Sequence, residues 1–339
     1  MKKISVLLLM MLLAASLLVA CGTKTEAENE PGEAGVAPAA APAASPSAAP
    51  SREPESAAET AETRVVTDEL GHELTIPAKP VKVFAPYMED SLVSLGVKPV
   101  AQWANGDAVQ EYLQDKLDGV PGISFTGGLP PSPEAVLDLA PDLIILHTAH
   151  YAKDGVYEKY SKIAPTYVFN NAAGDLKGSI TKLGELLGRP AEAELALQAH
   201  ELKVKEAKAK LAPYVEGKKA ALINFNGKGM YLIGGNYFGG YVLSQELGIG
   251  KSKLVETENS ADVSLEIVPQ IDADYIFTIN YQGTGSAFIQ ELTGSPIWKS
   301  MPAAKAGHVY EVSDKYWTGS GLIAYGKIID DVVRLLAHE

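Results

Sequence analysis

A long stretch without helix breakers lies in the middle of the chain and constrains its fold. Residues 191–211 are rich in Ala, Glu, Lys and Leu and hold no Gly or Pro, whereas Arg189-Pro190 precede them and Pro213 follows. This pattern predicts one helix of about 20 residues, which at the rise of an α-helix is about 30 Å long. The simplest architecture has one lobe on each side of this helix.

The regions on both sides of the helix alternate apolar strands with helical stretches. Strands are expected at residues 81–85, 99–103, 143–146, 220–225, 230–233, 275–280 and 308–312, and helices at 90–95, 135–139, 240–247 and 322–337. Residues 64–76 predict a hairpin that precedes them. This order is typical of an α/β fold. We therefore predict two Rossmann-like lobes with mainly parallel sheets, joined by a single long helix, with a ligand cleft between the lobes.

Changes in composition along the chain predict its domain boundaries. Residues 1–20 are expected to be a signal peptide, and residues 21–63 a disordered tether of Ala, Pro, Ser and Glu with almost no large apolar side chains. The N-terminal lobe is expected over residues 64–189, the interlobe helix over 190–212 and the C-terminal lobe over 213–339.

The N-terminus has the features of a lipoprotein export signal. Lys2 and Lys3 precede an apolar run over residues 4–20, and the only cysteine of the chain, Cys21, follows it directly. We expect Cys21 to be lipidated and to become the first mature residue, because a chance position there is improbable. The alternative is an uncleaved membrane anchor. The long tether favours the surface of a Gram-positive cell.

The charge of the chain bears on its partners. The formal net charge is −13, and no stripe of Lys and Arg runs along the mature sequence, which argues against nucleic acid. With one cysteine, the folded part has no disulfide available, so buried apolar area must stabilise it.

An internal repeat relates the two predicted lobes. It consists of Ser132, Glu134, Val136, Leu139, Asp142 and Ile144, which recur 132 residues later as Ser264, Glu266, Val268, Ile271, Asp274 and Ile276. Each copy predicts a helix that leads into a strand, and Pro269 predicts that the second helix is short or tightened. The helix dipole alone favours an acid in the first turn, so the positions of the two glutamates can also be explained by helix stability without a functional role.

The chain resembles the substrate-binding lipoproteins of ABC importers for iron-siderophores, haem and cobalamin. The segments that carry the resemblance are residues 71–80, 132–145, 163–166, 264–266 and 297–303, together with His308-Val-Tyr310. The resemblance implies a monomeric extracytoplasmic protein that captures a ferric siderophore and delivers it to a permease dimer with its ATPase. It also implies that Glu134 and Glu266 dock into arginine-lined pockets, one on each permease subunit.

Ligands of such lobes bind beyond the carboxyl ends of the strands, where this sequence is rich in aromatic and polar residues. The candidates are Tyr87, Met88, Trp103, His147, His150 and Tyr151 in the first lobe, and Asn226, Lys228, Tyr237, Tyr281 and Trp317 in the second. Aromatic side chains with a few hydrogen-bonding groups suit the organic shell of a metal complex. Trp298 is assigned to the core.

The type of ligand follows from charge. The folded part has only three arginines, Arg64, Arg189 and Arg334, none on a predicted cleft loop, and Lys228 is the clearest basic candidate. A hydroxamate or mixed citrate-hydroxamate complex therefore fits better than a strongly anionic tris-catecholate. Residues 235–240 also resemble the ferric-hydroxamate branch of the family.

Direct metal binding and catalysis are less favoured. His147 and His150 have a spacing seen in metal sites, but no cysteine or acidic cluster completes a shell, and no cofactor is expected. Haem, with Met88 and a histidine as axial ligands, and cobalamin remain alternatives. A surface enzyme is disfavoured, because the sequence lacks a Gly-x-Ser-x-Gly elbow, a free catalytic cysteine and a dinucleotide fingerprint. Because one long helix resists bending, we expect only a small adjustment of the lobes on binding.

Overall fold

The computed structural model describes residues 62–106, 108–125 and 130–337. Cys21, the predicted signal peptide and nearly all of the predicted tether lie outside these ranges. Within them, no helix is both long and apolar enough to cross a bilayer. The predicted domain boundaries remain predictions, although the long helix itself is present.

The strands of the described residues are, in chain order, β1 (Thr63–Thr67), β2 (Glu73–Pro77), β3 (Val83–Phe84), β4 (Gln102–Asn105), β5 (Ala108–Val109), β6 (Gly122–Ser124), β7 (Leu143–Leu146), β8 (Thr166–Val168), β9 (Lys219–Asn226), β10 (Gly229–Ile233), β11 (Gly250–Lys251), β12 (Ser260–Val263), β13 (Tyr275–Asn280) and β14 (Val309–Val312).

The α-helices are α1 (Glu89–Ser94), α2 (Gln114–Leu117), α3 (Pro133–Asp138), α4 (Val156–Tyr160), α5 (Leu176–Leu186), α6 (Pro190–Val215), α7 (Phe238–Tyr241), α8 (Ser286–Gly294), α9 (Pro296–Ser300), α10 (Pro302–Ala306), α11 (Asp314–Trp317) and α12 (Leu322–Leu336). A π-helical turn, Val242–Glu246, continues α7, and 3₁₀-helices include Glu111–Leu113 and Val268–Gln270.

The N-terminal lobe contains three small sheets. The predicted hairpin is confirmed as the antiparallel pair β1 and β2, and Asp68 fixes its turn by accepting from the backbone amides of Leu70 and His72 at 3.0 and 2.8 Å. Strands β3, β7 and β8 form a parallel sheet in the order β3-β7-β8, and β4 lies between antiparallel β5 and parallel β6. Within each of these two sheets, the parallel strands therefore end at the same edge.

The C-terminal lobe is built on one sheet in the order β12-β10-β9-β13-β14, with β11 also paired to β9. The pairs of β13 with β9 and β14 are parallel, whereas β10 is antiparallel to both β9 and β12. The two-residue turn of the β9–β10 hairpin, Gly227-Lys228, brings these strands together without a crossover helix. The prediction of mainly parallel sheets thus holds for the centre of each lobe, with antiparallel strands added beside it.

Helix α6 is 26 residues long and connects the lobes, so the predicted long helix is confirmed. Its end differs from the expectation, because Pro213 lies inside the last turn and the helix continues to Val215. In that position proline removes only one hydrogen bond, the one to the carbonyl of Ala209, and the last turn tolerates the loss.

The apolar core is continuous from one lobe to the other. Alternate residues of the central strands face opposite sides, so that Leu143 and Leu222 belong to the largest buried cluster, whereas Ile144 and Ile223 belong to separate clusters behind each sheet. The largest cluster also includes Leu197 of α6 and Ile328 of α12. Strands buried on both faces need continuous apolar runs, which is the pattern of these sequences.

The repeated aspartates have the same structural role in both lobes. Asp142 accepts from the backbone amides of Val81 and Lys82 at 2.8 and 3.0 Å, and Asp274 accepts from the backbone amide of Lys219 at 2.9 Å. Each aspartate therefore fixes the start of the strand next to its own. In the second copy of the repeat, a turn and the 3₁₀-helix stand where the first has α3, which confirms the shortening expected from Pro269.

A buried carboxylate connects the lobes directly. Asp90, in α1 of the N-terminal lobe, accepts from the backbone amides of Ile323 and Ala324 at 2.9 and 2.8 Å. These are first-turn amides of α12, which have no partner within their own helix. Gly321 precedes that helix at a φ of 130°, and a Cβ there would overlap the Asp90 carboxyl group. The contact therefore depends on both Asp90 and Gly321.

Candidate ligand-binding site

A cleft of about 1030 Å³ lies between the lobes, at the ends of their strands. Its N-terminal side is formed by residues on β4 and β5 and by residues that follow β3, β5, β7 and β8. Its C-terminal side is formed by residues on β9 and β10, after β10, β13 and β14, and directly before β12. The lining residues with polar or aromatic side chains include Tyr87, Trp103, Gln110, Glu111, Tyr112, His147, Asn171, Asn224, Asn226, Tyr231, Tyr237, Asn259, Tyr281, Asp314, Lys315 and Ser320. The volume suits a ligand of several hundred daltons.

Aromatic rings form the N-terminal wall of the cleft. The ring of Tyr87 lies 5.1 Å from that of Trp103 and 4.8 Å from that of His147, measured between centroids. Behind it, Tyr151 stacks on Tyr87 at 5.7 Å, and their hydroxyl oxygens are 3.4 Å apart. Tyr87 has a φ of 67°, which is unusual for a residue with a side chain. The packed rings hold it in this conformation.

His147 is a neutral member of this wall. Burial lowers the pKa of its imidazole to about 4, in spite of a hydrogen bond with the backbone at Pro86. At neutral pH the ring therefore carries no charge. Because the backbone at Pro86 can only accept, the ring N–H is directed to it, and Nδ1, which has no partner among the described residues, is left as an acceptor. His147 offers the ligand a hydrogen bond and no positive charge.

Glu89 supports the N-terminal wall from beneath. Its carboxylate is fully buried, accepts from the backbone amide of Trp103 at 2.6 Å and accepts from Nε2 of Gln110 at 3.3 Å. Burial raises the pKa of Glu89 to about 7, although the backbone hydrogen bonds oppose the shift. An ionised carboxylate only accepts, so Gln110 turns its Nε2 toward Glu89 and leaves its Oε1 free for another partner.

Amide side chains dominate the C-terminal wall. Asn224, on β9, donates through Nδ2 to the hydroxyl of Tyr231 on β10 at 2.9 Å. Asn226 ends β9 and accepts from the backbone amide of Lys228 at 2.8 Å, which shapes the turn to β10. Tyr237 and Tyr281 follow β10 and β13. This wall is therefore mainly neutral.

Five buried polar atoms of the lining residues have no hydrogen-bond partner among the described residues. They are Nε1 of Trp103, Oε1 of Gln110, the hydroxyl of Tyr112, Nδ1 of His147 and Oδ1 of Asn224. Buried polar atoms are rarely left without a partner, because the loss of hydration is then uncompensated. These atoms lie on both walls of the cleft, so a polar ligand that reaches both lobes can satisfy them.

A family model described as a periplasmic binding protein matches residues 90–316, about two thirds of the chain. The chain belongs to the periplasmic binding protein family. This is a family of substrate-binding proteins, and its fold has the two lobes seen here. The family-level resemblance in the sequence motifs is thereby confirmed.

Individual relatives within this family are named for iron complexes. The probable siderophore-binding lipoprotein YfiY of Bacillus subtilis is 28% identical over 290 residues, which cover 80% of this chain and 87% of that protein. The iron(3+)-hydroxamate-binding protein FhuD of the same organism is 33% identical over 209 residues, which cover 59% of this chain and 63% of that protein.

A similar solved structure is that of Staphylococcus aureus SirA complexed with staphyloferrin B. It matches with a TM-score of 0.70 and 26% identity, and the match covers 81% of this chain and 98% of SirA. The FeuA protein of Bacillus subtilis, solved with ferri-bacillibactin, matches with a TM-score of 0.69 at 19% identity over 81% of this chain and 99% of FeuA, and shares the fold.

The structure brings six of the candidate binding residues together in this binding-protein cleft. They are Tyr87, Trp103, His147, Asn226, Tyr237 and Tyr281. Tyr151 packs behind Tyr87, and His150 is exposed with its ring against Tyr151. Their roles toward a ligand remain predictions.

Two candidates are wrong, because they belong to the core. Trp317 is fully buried, stacks on Phe277 and donates from Nε1 to Asp331 at 2.9 Å. It lies in helix α11, which turns the indole inward, where the sequence suggested an open loop. Met88 is 3% exposed and packs in the largest cluster. Trp298, by contrast, is buried in the core as predicted.

The basic residue of the cleft is also a different one from the residue predicted. Lys228 is exposed in the turn between β9 and β10 and is not among the lining residues, whereas Lys315 in α11 is. The signal for Lys315 was present, since it follows a strand in the same segment as Trp317. Gln110, Glu111 and Tyr112 were also missed, because β5 is only two residues long and carries no clear strand pattern.

Glu134 and Glu266 are both exposed at the surface. Ser132 caps α3 by accepting from the backbone amide of Ala135 at 3.3 Å, and hydrogen bonds from its own backbone amide and from Ser132 lower the pKa of Glu134. Glu266 lies in the turn before the 3₁₀-helix. The two carboxylates therefore occupy corresponding positions of the repeat, in different local structures.

Proposed function

We propose that this protein captures a ferric siderophore outside the cell membrane and delivers it to an ABC importer. The observation that carries the proposal is the set of five unpartnered buried atoms, on Trp103, Gln110, Tyr112, His147 and Asn224, which lie among aromatic rings on facing walls. An iron complex with an organic shell offers both apolar faces and oxygen or nitrogen atoms to such walls. The names of relatives, which include iron-hydroxamate and siderophore-binding proteins, support the same class.

The charge of the cleft favours a hydroxamate or mixed citrate-hydroxamate complex. Among the described lining residues, the charged side chains are Glu111, Asp314 and Lys315, and none is an arginine. A tris-catecholate complex is strongly anionic and would meet two acids and one base here. A neutral or modestly charged complex is better matched to these walls.

The protein supplies contacts to such a complex and leaves the iron to the siderophore. The described residues contain no group of three or more His, Cys, Asp or Glu side chains placed to hold a metal ion. The haem alternative used Met88 and a histidine as axial ligands, and Met88 is buried in the core, outside the lining residues. We therefore favour a siderophore over haem. The match to a family of binding proteins supports binding over catalysis.

Delivery is proposed to use the lipidated N-terminus and one surface glutamate from each lobe. Lipidation of Cys21 would hold the protein at the membrane, and residues 21–63 would act as a tether to the folded part. Exposed Glu134 and Glu266 would dock on the two permease subunits and set the orientation of the complex. The long tether supports a Gram-positive surface.

Titration of the full chain with iron complexes tests the ligand class. We expect saturable quenching of tryptophan fluorescence by ferric hydroxamate or mixed citrate-hydroxamate complexes, and weaker binding of a ferric tris-catecholate. Trp103 is the only one of the three tryptophans in the cleft, since Trp298 and Trp317 are buried elsewhere. Trp103→Phe should therefore remove most of the quenching, whereas Trp298→Phe should leave it unchanged. Preferred binding of the tris-catecholate, or of haem, would refute the proposed ligand class.

A further inference from the structure

One ion pair joins the two walls of the cleft. Lys315 in α11 of the C-terminal lobe contacts Glu111, which follows β5 in the N-terminal lobe 204 positions earlier in the chain. Both residues line the cleft. Lys315 is the only cation among the described lining residues, so any negative group on a ligand has this partner on the cleft wall.

The acid next to Lys315 in the chain is already engaged, because Asp314 accepts from the backbone amide of Gln282 at 2.8 Å. The side chain of Glu111 has no other hydrogen bond among the described residues than the one to Lys315. Glu111 is therefore the group that a ligand anion would replace.

The ion pair is open to exchange. The side chains of Lys315 and Glu111 are 53% and 62% exposed. Exposed pairs contribute little, because water solvates the separated charges almost as well. A ligand seated in the cleft would cover Lys315 and remove that water, which strengthens a charge-assisted hydrogen bond to the ligand. Exchange of Glu111 for a ligand carboxylate is thus favoured.

We propose that the Glu111–Lys315 pair is the charge-selecting element of the cleft, in which Lys315 exchanges Glu111 for one free carboxylate of the iron complex. The preferred ligand is then a complex with a carboxylate outside the iron shell, such as a citrate-hydroxamate complex that keeps one carboxylate uncoordinated. Complexes with several negative charges meet Glu111 and Asp314 with only one base. This inference rests on the proposed function and narrows its substrate class.

Two variants with opposite expected effects test the proposal. The full chain is titrated with a neutral ferric trihydroxamate and with a ferric citrate-hydroxamate complex that keeps a free carboxylate. Lys315→Met should weaken binding of the carboxylate complex by about tenfold or more, because a hydrogen bond to a charged group is lost. Glu111→Gln should strengthen binding of the same complex by about threefold, because the Glu111 carboxylate no longer competes weakly for Lys315. The neutral complex should change by less than about twofold in both variants.

Lys228→Met is the matched control. It removes the same type of charge from an exposed turn next to the cleft, outside the lining residues. Its affinities for both complexes should equal those of the wild type. Far-ultraviolet circular dichroism melts check that all variants are folded.

The outcomes separate this inference from the proposed function. Equal weakening of both complexes by Lys315→Met and Glu111→Gln would show that the pair only holds the lobes together, and would overturn the inference. The inference would also be overturned if Lys315→Met kept the wild-type preference between the two complexes. It would be overturned as well if Lys228→Met changed the affinities in the same way as Lys315→Met. A wild-type chain that binds neither complex would overturn the proposed function as well.

Discussion

At the scale of single residues, the cleft combines a neutral histidine with a buried acid. Burial lowers the pKa of His147 to about 4 and raises that of Glu89 to about 7. The same physical cause acts in opposite directions because it disfavours the charged form of each group. His147 therefore stays neutral at neutral pH, whereas Glu89 changes its charge there.

Glu89 is expected to make stability depend on pH. Its pKa is about 7 in the folded chain against an ordinary value of 4.5, so folding favours its protonated form. The resulting stabilisation is fully present below about pH 4.5 and is lost as the pH rises through 7. Glu89→Gln should therefore raise the free energy of unfolding, relative to the wild type, by about 3 kcal/mol more at pH 8 than at pH 5.

Urea unfolding at the two pH values measures this difference. Glu158→Gln is the control, because Glu158 is exposed and should shift stability by less than about 0.5 kcal/mol at either pH. A shift by Glu89→Gln that is the same at both pH values would show that the buried carboxylate stays ionised throughout.

At the scale of secondary structure, the contact between α1 and α12 is the one that we expect single substitutions to weaken most. Asp90→Ala would leave the amides of Ile323 and Ala324 buried without a partner. We expect it to lower the free energy of unfolding by about 3 kcal/mol, the cost of two lost charge-assisted hydrogen bonds less the gain from removing a buried charge.

Chemical denaturation checks this value. Asp115→Ala, which removes an exposed partner of Lys116, is the matched control and should cost less than about 1 kcal/mol. A similar small effect of both substitutions would mean that the α12 amides find other partners when Asp90 is absent.

The predictability of these elements from sequence depended on their length and burial. Helix α6 and strands such as Leu143–Leu146 and Tyr275–Asn280 were predicted closely, because long helices and strands buried on both faces have distinctive patterns. The four-residue helix α11 was missed for the opposite reason. In so short a helix one residue changes which side chain faces the core, so Trp317 is buried and Lys315 lines the cleft, where the sequence predicted Trp317.

The candidate site could be predicted only in part for a related reason. Residues directly after long strands, such as His147 and Tyr281, were found, because the carboxyl ends of parallel strands meet at one edge. The contact of Glu111 with Lys315 was not, because it joins segments 204 residues apart through a cleft whose width no local pattern encodes.

At the scale of the whole molecule, the surface glutamates can be separated from the cleft. Glu134→Ala combined with Glu266→Ala should abolish siderophore uptake by cells and leave the affinity of the purified chain for its ligand unchanged, since both residues are exposed and neither lines the cleft. Uptake of a radioactive iron complex and fluorescence titration measure the two quantities.

The control for docking is a second pair of exposed glutamates, one in each lobe. Glu158→Ala combined with Glu291→Ala removes the same net charge from other surfaces. Uptake by this control should be normal. Equal loss of uptake in both double variants would attribute the effect to overall charge and would remove the assignment of Glu134 and Glu266.

The contact of Asp90 with α12 also bears on the order in which parts of the molecule fold. Asp90 and Ile323 are separated by 233 positions, and the residues that complete the largest core lie in the last helix. Contacts between such distant segments form slowly, because a long loop has to close first. A chain that still lacks α12 therefore has neither the Asp90 contact nor its largest core complete, and we expect the final step of folding to wait for this last helix.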